Sequence, residues 1–388
     1  MDESRNGSPC ITESPGSVPP ITGVATSIAL VIGWSPRGPT DQALRVKSFS
    51  DYERDYGGLD RGSLLGYAVR HFYENGGSDA YVLRIAGADG AVTGPADAAF
   101  HAALAAAFDT GGAVGRIDLF NILCVPGLTD AATVQMMQRR ARERRAFLIA
   151  DCAETDTVAT VIDLLAGKTG ADALNSALYF PWVEAPDPLQ ANALRAFPPC
   201  GFVAGVIART DTSHGVWKAP AGIDAGLTGA ARPSILLSDV EESELSRHAI
   251  NCVRSFPGRG TVVFGSRTLA GDNDRGSEWK FIPVRRMALF LEESLFRGTK
   301  WAAFEPNGEP LWAEIRLSVG AFMQDVFRQG AFAGAAPPQA FFVKCDAATT
   351  TQADIDRGVV NIVVGFAPLR PAEFIILTIQ QLAGGARA

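Results

Sequence analysis

The sequence predicts a mixed α/β fold in two domains, and three stretches carry that expectation. The first 86 residues read strand, helix, helix, strand. Between residues 117 and 183 the order is strand, helix, strand, helix, strand, the pattern of a parallel sheet covered by helices. From residue 279 onward come two long amphipathic helices and several strands, the last of them an apolar run from Glu373 to Gln381. An α/β insertion is expected at about 90–200.

Residues 1–20 are acidic, polar and rich in Pro, Gly and Ser, and read as a flexible arm. Ser27 to Trp34 is a buried strand broken by SPRGP, and Leu44 to Phe49 a short one. Ser50 can cap a short helix. Leu64 to Tyr73 is helical, with Leu65, Val69 and Phe72 on one face, and Asn75-Gly76-Gly77 stops it. Ala80 to Ile85 is a strand. Ala96 to Phe108 is an Ala-rich helix, and Ile117 to Gly127 a buried strand entering a turn. Thr129-Asp130 can cap a helix over 131–145. Ala146 to Ala150 is a strand, Thr155 to Leu165 a helix, and Ser176 to Val183 a strand. Phe202 to Ala208 fits a strand, Arg247 to Phe256 a helix or strand, and Gly260 to Gly265 a strand. Pro283 to Arg297 is a helix with Val284, Met287, Leu291 and Leu295 on one face. A second long helix runs from Pro310 to Gln329 with Leu311, Ile315, Val319, Phe322 and Val326 as its stripe. Strands follow at Ala340 to Lys344 and Val359 to Val364, with Thr351 and Asp354 spaced to cap a helix between them.

Composition narrows the function classes. With 388 residues, 47% hydrophobic and 20% charged, the chain can bury a sizeable core. Its net charge of −7 carries no basic bias toward nucleic acid. The six cysteines include no Cys-x-x-Cys pair, and buried free thiols of a protein made in a reducing cytoplasm are expected. The first residues hold no apolar core of a signal peptide, and no apolar run reaches the length of a membrane span. A soluble chain without membrane contact is the expectation.

Five features of the sequence could carry chemistry. Gly167-Lys168-Thr169 imitates the end of a phosphate loop, but Ile162 stands where that motif needs glycine. Asp272, Asp274 and Gly276 lack the remaining ligands of a calcium loop. Arg139, Arg140, Arg142, Arg144 and Arg145 crowd the last turns of a helix, where cations complement its dipole. His71, His101, His214 and His248 have no metal-ligand spacing. Glu292 and Glu293 are neighbours on a helix and point apart, so they cannot flank one substrate. No catalytic, cofactor or metal residue is assigned, and no cofactor is expected.

The chain ends instead suggest self-association. A strand near a chain end presents unpaired backbone groups that seek a sheet edge. Ile375, Leu377 and Ile379 share one face of the run beginning at Phe374. Burying them would contribute roughly 5 to 9 kcal/mol gross. Residues Ile21, Val24, Ile28, Leu30 and Ile32 follow the N-terminal arm in the same spirit. Spacing alone leaves two readings open: donation to another copy, or folding back on the same domain.

Long segments resemble the tail sheath proteins of contractile injection systems, a family of contractile phage tails, R-type pyocins and phage-like extracellular injection particles. The resemblance lies in GVATSIALVIGWSPRGP with LGYAVRHFYENGGSDAYVLRI, in PPCGFVAGVIARTDTSHGVWKAPAG, in FPGRGTVVFGSRTL, in WKFIPVRRMALFLEESLFRGTKWAAFEPN, and in FFVKCDAATTTQADIDRGVVNIVVGFAPLRPAEFIILTI. Ala231 to Ile235 departs from the family pattern. The resemblance implies a discontinuous conserved α/β domain facing an inner tube, built from 21–89 and 201–372, an outer domain at 90–200, and arms at 1–20 and 373–388. It implies a structural, non-enzymatic subunit that stacks as six-fold rings around the tube, donates terminal strands to its neighbours, and contracts from a metastable state to drive the tube through a target envelope. Implied partners are further copies of the chain, the inner tube protein, and the baseplate and tail terminator proteins, within a virion or tail-like particle. Arg286, Glu293, Arg297, Glu314 and Arg328 become candidates for tube or sheath contacts. Two alternatives remain: a non-contracting cap or terminator of the same fold, and a nucleotide-using enzyme built on the middle sheet.

Overall fold

A computed structural model describes residues 19–87, 91, 93–163, 172–273 and 277–371. The chain divides into two compact units, one of residues 25–290 and one of residues up to 24 together with 291–367.

The larger unit opens with β1 (Ala29–Gly33), β2 (Leu44–Val46), α1 (Phe49–Tyr56), α2 (Leu65–Glu74) and β3 (Ala80–Arg84). It continues with α3 (Ala98–Ala107), β4 (Ile122–Cys124), α4 (Ala131–Glu143), β5 (Phe147–Asp151), α5 (Val158–Asp163) and β6 (Ser176–Phe180). Then come β7 (Val183–Asp187), β8 (Ala193–Phe197), α6 (Cys200–His214), β9 (Arg232–Pro233), α7 (Asp239–Arg247), β10 (Ile250–Phe256) and β11 (Gly260–Phe264). Helix α8 (Ile282–Gly298) contains the division between the units.

Eight strands form one sheet in the order β11-β10-β6-β5-β4-β1-β3-β2. The six inner strands are parallel, and β11 and β2 close the two ends in antiparallel pairing. Alternation of side chains divides the core. Ala29, Val31, Ile122, Cys124, Phe147 and Ile149 face α2 and α6. Leu30, Ile32, Leu83, Leu123 and Leu148 face α3 and α4. The inner strands are buried on both faces, as parallel strands covered by helices must be.

The expected partition is corrected here. β4 pairs in parallel with β1, with Ala29 opposite Ile122 and Val31 opposite Cys124. The segment expected at 21–89 and the insertion expected at 90–200 therefore share one sheet from residue 25 onward, and only the chain from 291 to 367 joins residues 19–24 in the other unit. Local pattern gives elements, whereas this pairing is non-local.

Several elements also differ from expectation. The cap of α1 is Ser48, two residues before Ser50, and its hydroxyl accepts from the Asp51 amide. The stretch Phe202 to Ala208 is the middle of helix α6. It packs so closely on α2 that a Cβ at Gly201 would lie 2.5 Å from the Ala68 carbonyl oxygen, and one at Gly205 2.5 Å from Asn75 Cβ. Every residue from Cys200 to Ala208 is buried, so no helical period marks the stretch. The hairpin β7–β8 and the polar helix α7, opened by a Ser238–Glu241 capping box, were not expected.

The smaller unit holds the end of α8, then α9 (Glu309–Arg328), α10 (Pro337–Ala340), β12 (Phe341–Lys344), α11 (Gln352–Asp356) and β13 (Val363–Phe366). Leu311, Ile315, Val319, Phe322 and Val326 of α9 are buried, as the stripe predicts. Thr351 and Asp354 form the expected capping box of α11.

Candidate assembly interface

Strands β12 and β13 pair antiparallel, with Phe341 opposite Phe366 and Lys344 opposite Val363. Among the described residues no further strand joins either edge. An isolated two-stranded sheet is marginal in water, so this one depends on what it packs against. Phe332 packs its ring at 6.1 Å from Phe341 and 5.7 Å from Phe366. Phe342 and Val363 remain exposed. The result is a short sheet with open edges and apolar side chains facing solvent, a combination that invites a strand from elsewhere.

The sequence places the donated strand at 373–388. Phe374, Ile375, Leu377 and Ile379 lie outside the described residues. The N-terminal candidates separate into two groups. Ile21 and Val24 belong to a segment fastened to the smaller unit's own helices: Ser318 Oγ donates to the Pro19 carbonyl at 2.9 Å, and the Val24 amide donates to Ser294 Oγ at 3.1 Å. Ile28, Leu30 and Ile32 are buried in or beside β1 in the middle of the eight-stranded sheet. Their side chains are used within their own core, which corrects their assignment to an inter-subunit arm.

The charged candidates also separate. Arg286 is 4% exposed, and its guanidinium grips Asp211 at 2.6 and 2.7 Å and donates to the Thr26 carbonyl. It is an internal tie within its own fold. Glu293 is buried and pairs with Arg297 at 2.6 Å in the favourable i,i+4 order. Glu314 is exposed on α9. Arg328 is exposed as well, beside Asp325 at 3.0 Å. A strip of helix with buried arginine reads like a solvated one in sequence, because the partner that neutralises it is distant along the chain.

Two family models match the chain end to end of each other: the phage tail sheath protein central domain over residues 101–269, and the phage tail sheath C-terminal domain over 274–381. The chain belongs to the phage tail sheath family. A protein of Pseudomonas aeruginosa (strain UCBPP-PA14) described as a prophage major tail sheath protein is 30% identical over 47% of this chain and 45% of its own length. The tail sheath protein of Enterobacteria phage T4 is 27% identical over 50% of this chain and 28% of its own length. The chain thus spans less than half the length of these curated relatives. Solved structures match more completely. The sheath of the PVC extracellular contractile injection system, in its contracted state, has a TM-score of 0.77 at 28% identity over 99% of both chains. The contracted helical sheath of the anti-feeding prophage has a TM-score of 0.76 at 27% identity, over 98% of this chain and 100% of its own.

Several titratable groups of this sheath chain are paired or buried within its own fold. Arg140 pairs with Asp109 and Glu143, Arg142 with Asp172, and Arg144 lies over the Phe120 ring. The basic run is therefore tied to its neighbours. Asp151 is buried at the end of β5, where its carboxylate accepts from the Gly127 and Cys200 amides at 3.0 Å each. Burial pushes its pKa up to about 6. Burial likewise pushes the adjacent Cys200 thiol well up, which suits a packed side chain and disfavours a nucleophile. His71 stacks on Phe202 at 3.8 Å, and burial pushes its pKa down to about 3. Among the described residues no cluster of His, Cys, Asp and Glu could hold a metal ion. No helix among them is long and apolar enough to cross a membrane. The phosphate-loop imitation at 167–169 lies outside the described residues, as do Asp274 and Gly276 of the calcium-loop imitation.

Proposed function

We propose that this chain is a structural subunit of a contractile tail sheath. Copies stack as six-fold rings around an inner tube and contract to drive that tube through a target envelope. The observation that carries this reading is the end-to-end likeness to a contracted sheath, at 28% identity and over 99% of both chains. In this reading the open β12–β13 sheet receives strands donated by neighbouring copies, and the run Phe374 to Ile379 is the donated C-terminal strand. Main-chain pairing gives register, and the apolar face of the donated strand gives affinity. Glu314 and Arg328, exposed on α9, remain as candidate contacts with the tube or an adjacent copy. Baseplate and terminator proteins bound the polymer, which works as part of a virion or tail-like particle. The role is mechanical and needs no catalytic group.

Deleting Glu373 to Ala388 tests the reading. The truncated protein is expected to fold, with an unchanged circular dichroism spectrum, and to form no tubes under electron microscopy in cells that make the remaining particle proteins. Tubes of normal length from the truncated chain would overturn strand donation by this end.

A further inference from the structure

The segment between the N-terminal arm and β1 is built into the smaller unit by three ties. Ser318 Oγ of α9 donates to the Pro19 carbonyl at 2.9 Å. The Val24 amide donates to Ser294 Oγ of α8 at 3.1 Å. Between them Ile21, only 9% exposed, sits against Gly298. A Cβ at position 298 would lie 2.5 Å from Ile21 Cγ2 and 2.7 Å from Cγ1, closer than real side chains approach. Residues 294 and 298 are four apart on α8 and share one face. That face presents a hydroxyl to one end of the segment and a bare backbone to its isoleucine. Gly298 is the last residue of α8, and its missing side chain leaves the room that this close approach of Ile21 needs. Ser294 and Ser318 are themselves buried, and a buried hydroxyl needs a partner.

We infer that Pro19–Val24 is a clasped root that fixes where the N-terminal arm leaves the subunit, with Gly298, Ser294 and Ser318 as its positioning residues. This rests on the sheath reading, in which the arm reaches a second copy. Donated strands bind at a defined place only if they start from a defined place, because the effective concentration of a tethered strand depends on where its tether is fixed. The root itself stays with its own subunit, and exchange begins before Pro19.

The test uses the full chain with three changes: Gly298→Val, the pair Ser294→Ala with Ser318→Ala, and Gly298→Val combined with Ile21→Ala. Hydrogen exchange of the Val24 amide reads the clasp, and electron microscopy of particles made in cells reads assembly. The first two variants are expected to speed Val24 exchange by about tenfold, the loss of a hydrogen bond's worth of protection, and to yield few or short sheaths. Ile21→Ala is expected to restore assembly to Gly298→Val by making room for the added side chain. Faster Val24 exchange with sheaths of normal number and length would overturn the inference, as would no recovery in the combined variant. Removing residues 1–18 separates this from the underlying reading. If that deletion assembles normally, the arm has no role and the sheath reading loses its N-terminal contact. If it fails to assemble while the root variants assemble normally, only the clasp is wrong.

Discussion

His71 is a neutral side chain by force of burial. Its ring packs on Phe202 at 3.8 Å and on Phe197 at 5.1 Å, and burial followed by the nearby Arg70 charge disfavours a proton on it. Its folded pKa of about 3 lies below the ordinary 6.5, so below pH 6.5 the unfolded chain takes up a proton that the folded chain refuses. The stability His71 contributes is therefore present above pH 6.5 and is lost as pH falls toward 3. Asp151 runs the other way. Its folded pKa of about 6 lies above 3.8, so its contribution is largest below pH 3.8 and is lost as pH rises through 6. His71→Phe keeps the ring and removes the titration. Relative to wild type it should gain roughly 1.4 kcal/mol of stability for each pH unit below 6.5, read by urea unfolding at neutral pH and at about pH 4.5. A constant difference across that range would show that His71 is protonated in the fold.

Glycines separate helices that need closeness from helices that merely contain one. Gly205 of α6 leaves no space for a side chain against Phe72 and Asn75, whereas nothing stands within 4 Å of a Cβ built at Gly320 in α9. Gly205→Ala should cost roughly 2 kcal/mol through forced separation of α6 from α2. Gly320→Ala should stabilise by about 0.5–1 kcal/mol through helix propensity. Thermal melts of the two variants are expected to move in opposite directions. The same contrast explains what was legible in the sequence. The strands β1, β3, β5 and β6, and helices α8 and α9, showed their period or their apolar run because solvent or flanking turns bound them. Helix α6 is buried from Cys200 to Ala208 with glycines on its contact face, so its apolar run imitated a strand. α7 had a capping box but no apolar stripe, and β7 to β8 carried prolines and a tight turn. At the candidate interface β12 was legible, whereas β13 starts at Val363, four residues later than the expected Val359, and the clasp was not legible at all: Ser294, Gly298 and Ser318 become meaningful only when Pro19 to Val24 lies on them. Arg286 was misread for the same reason, since Asp211 lies 75 residues away.

At the scale of the whole molecule, charge and apolar surface pull assembly in different directions. Each copy carries a net charge of −7, so stacking copies concentrates like charge. The proposed contacts are mainly backbone pairing and apolar burial at β12–β13, where Phe342 and Val363 stand exposed. Such contacts gain little from low salt, while the repulsion between copies is screened as the Debye length shrinks from about 30 Å at 0.01 M to about 8 Å at 0.15 M. The concentration at which tubes form is therefore expected to fall as salt rises over that range, and to fall again as pH is lowered toward the sequence pI of 5.3. Were the copies held chiefly by ion pairs through Glu314 and Arg328, added salt would raise that concentration severalfold. Light scattering of the purified protein across a salt series distinguishes the two, and a threshold that rises with salt would assign the cohesion to charge pairing in place of strand donation.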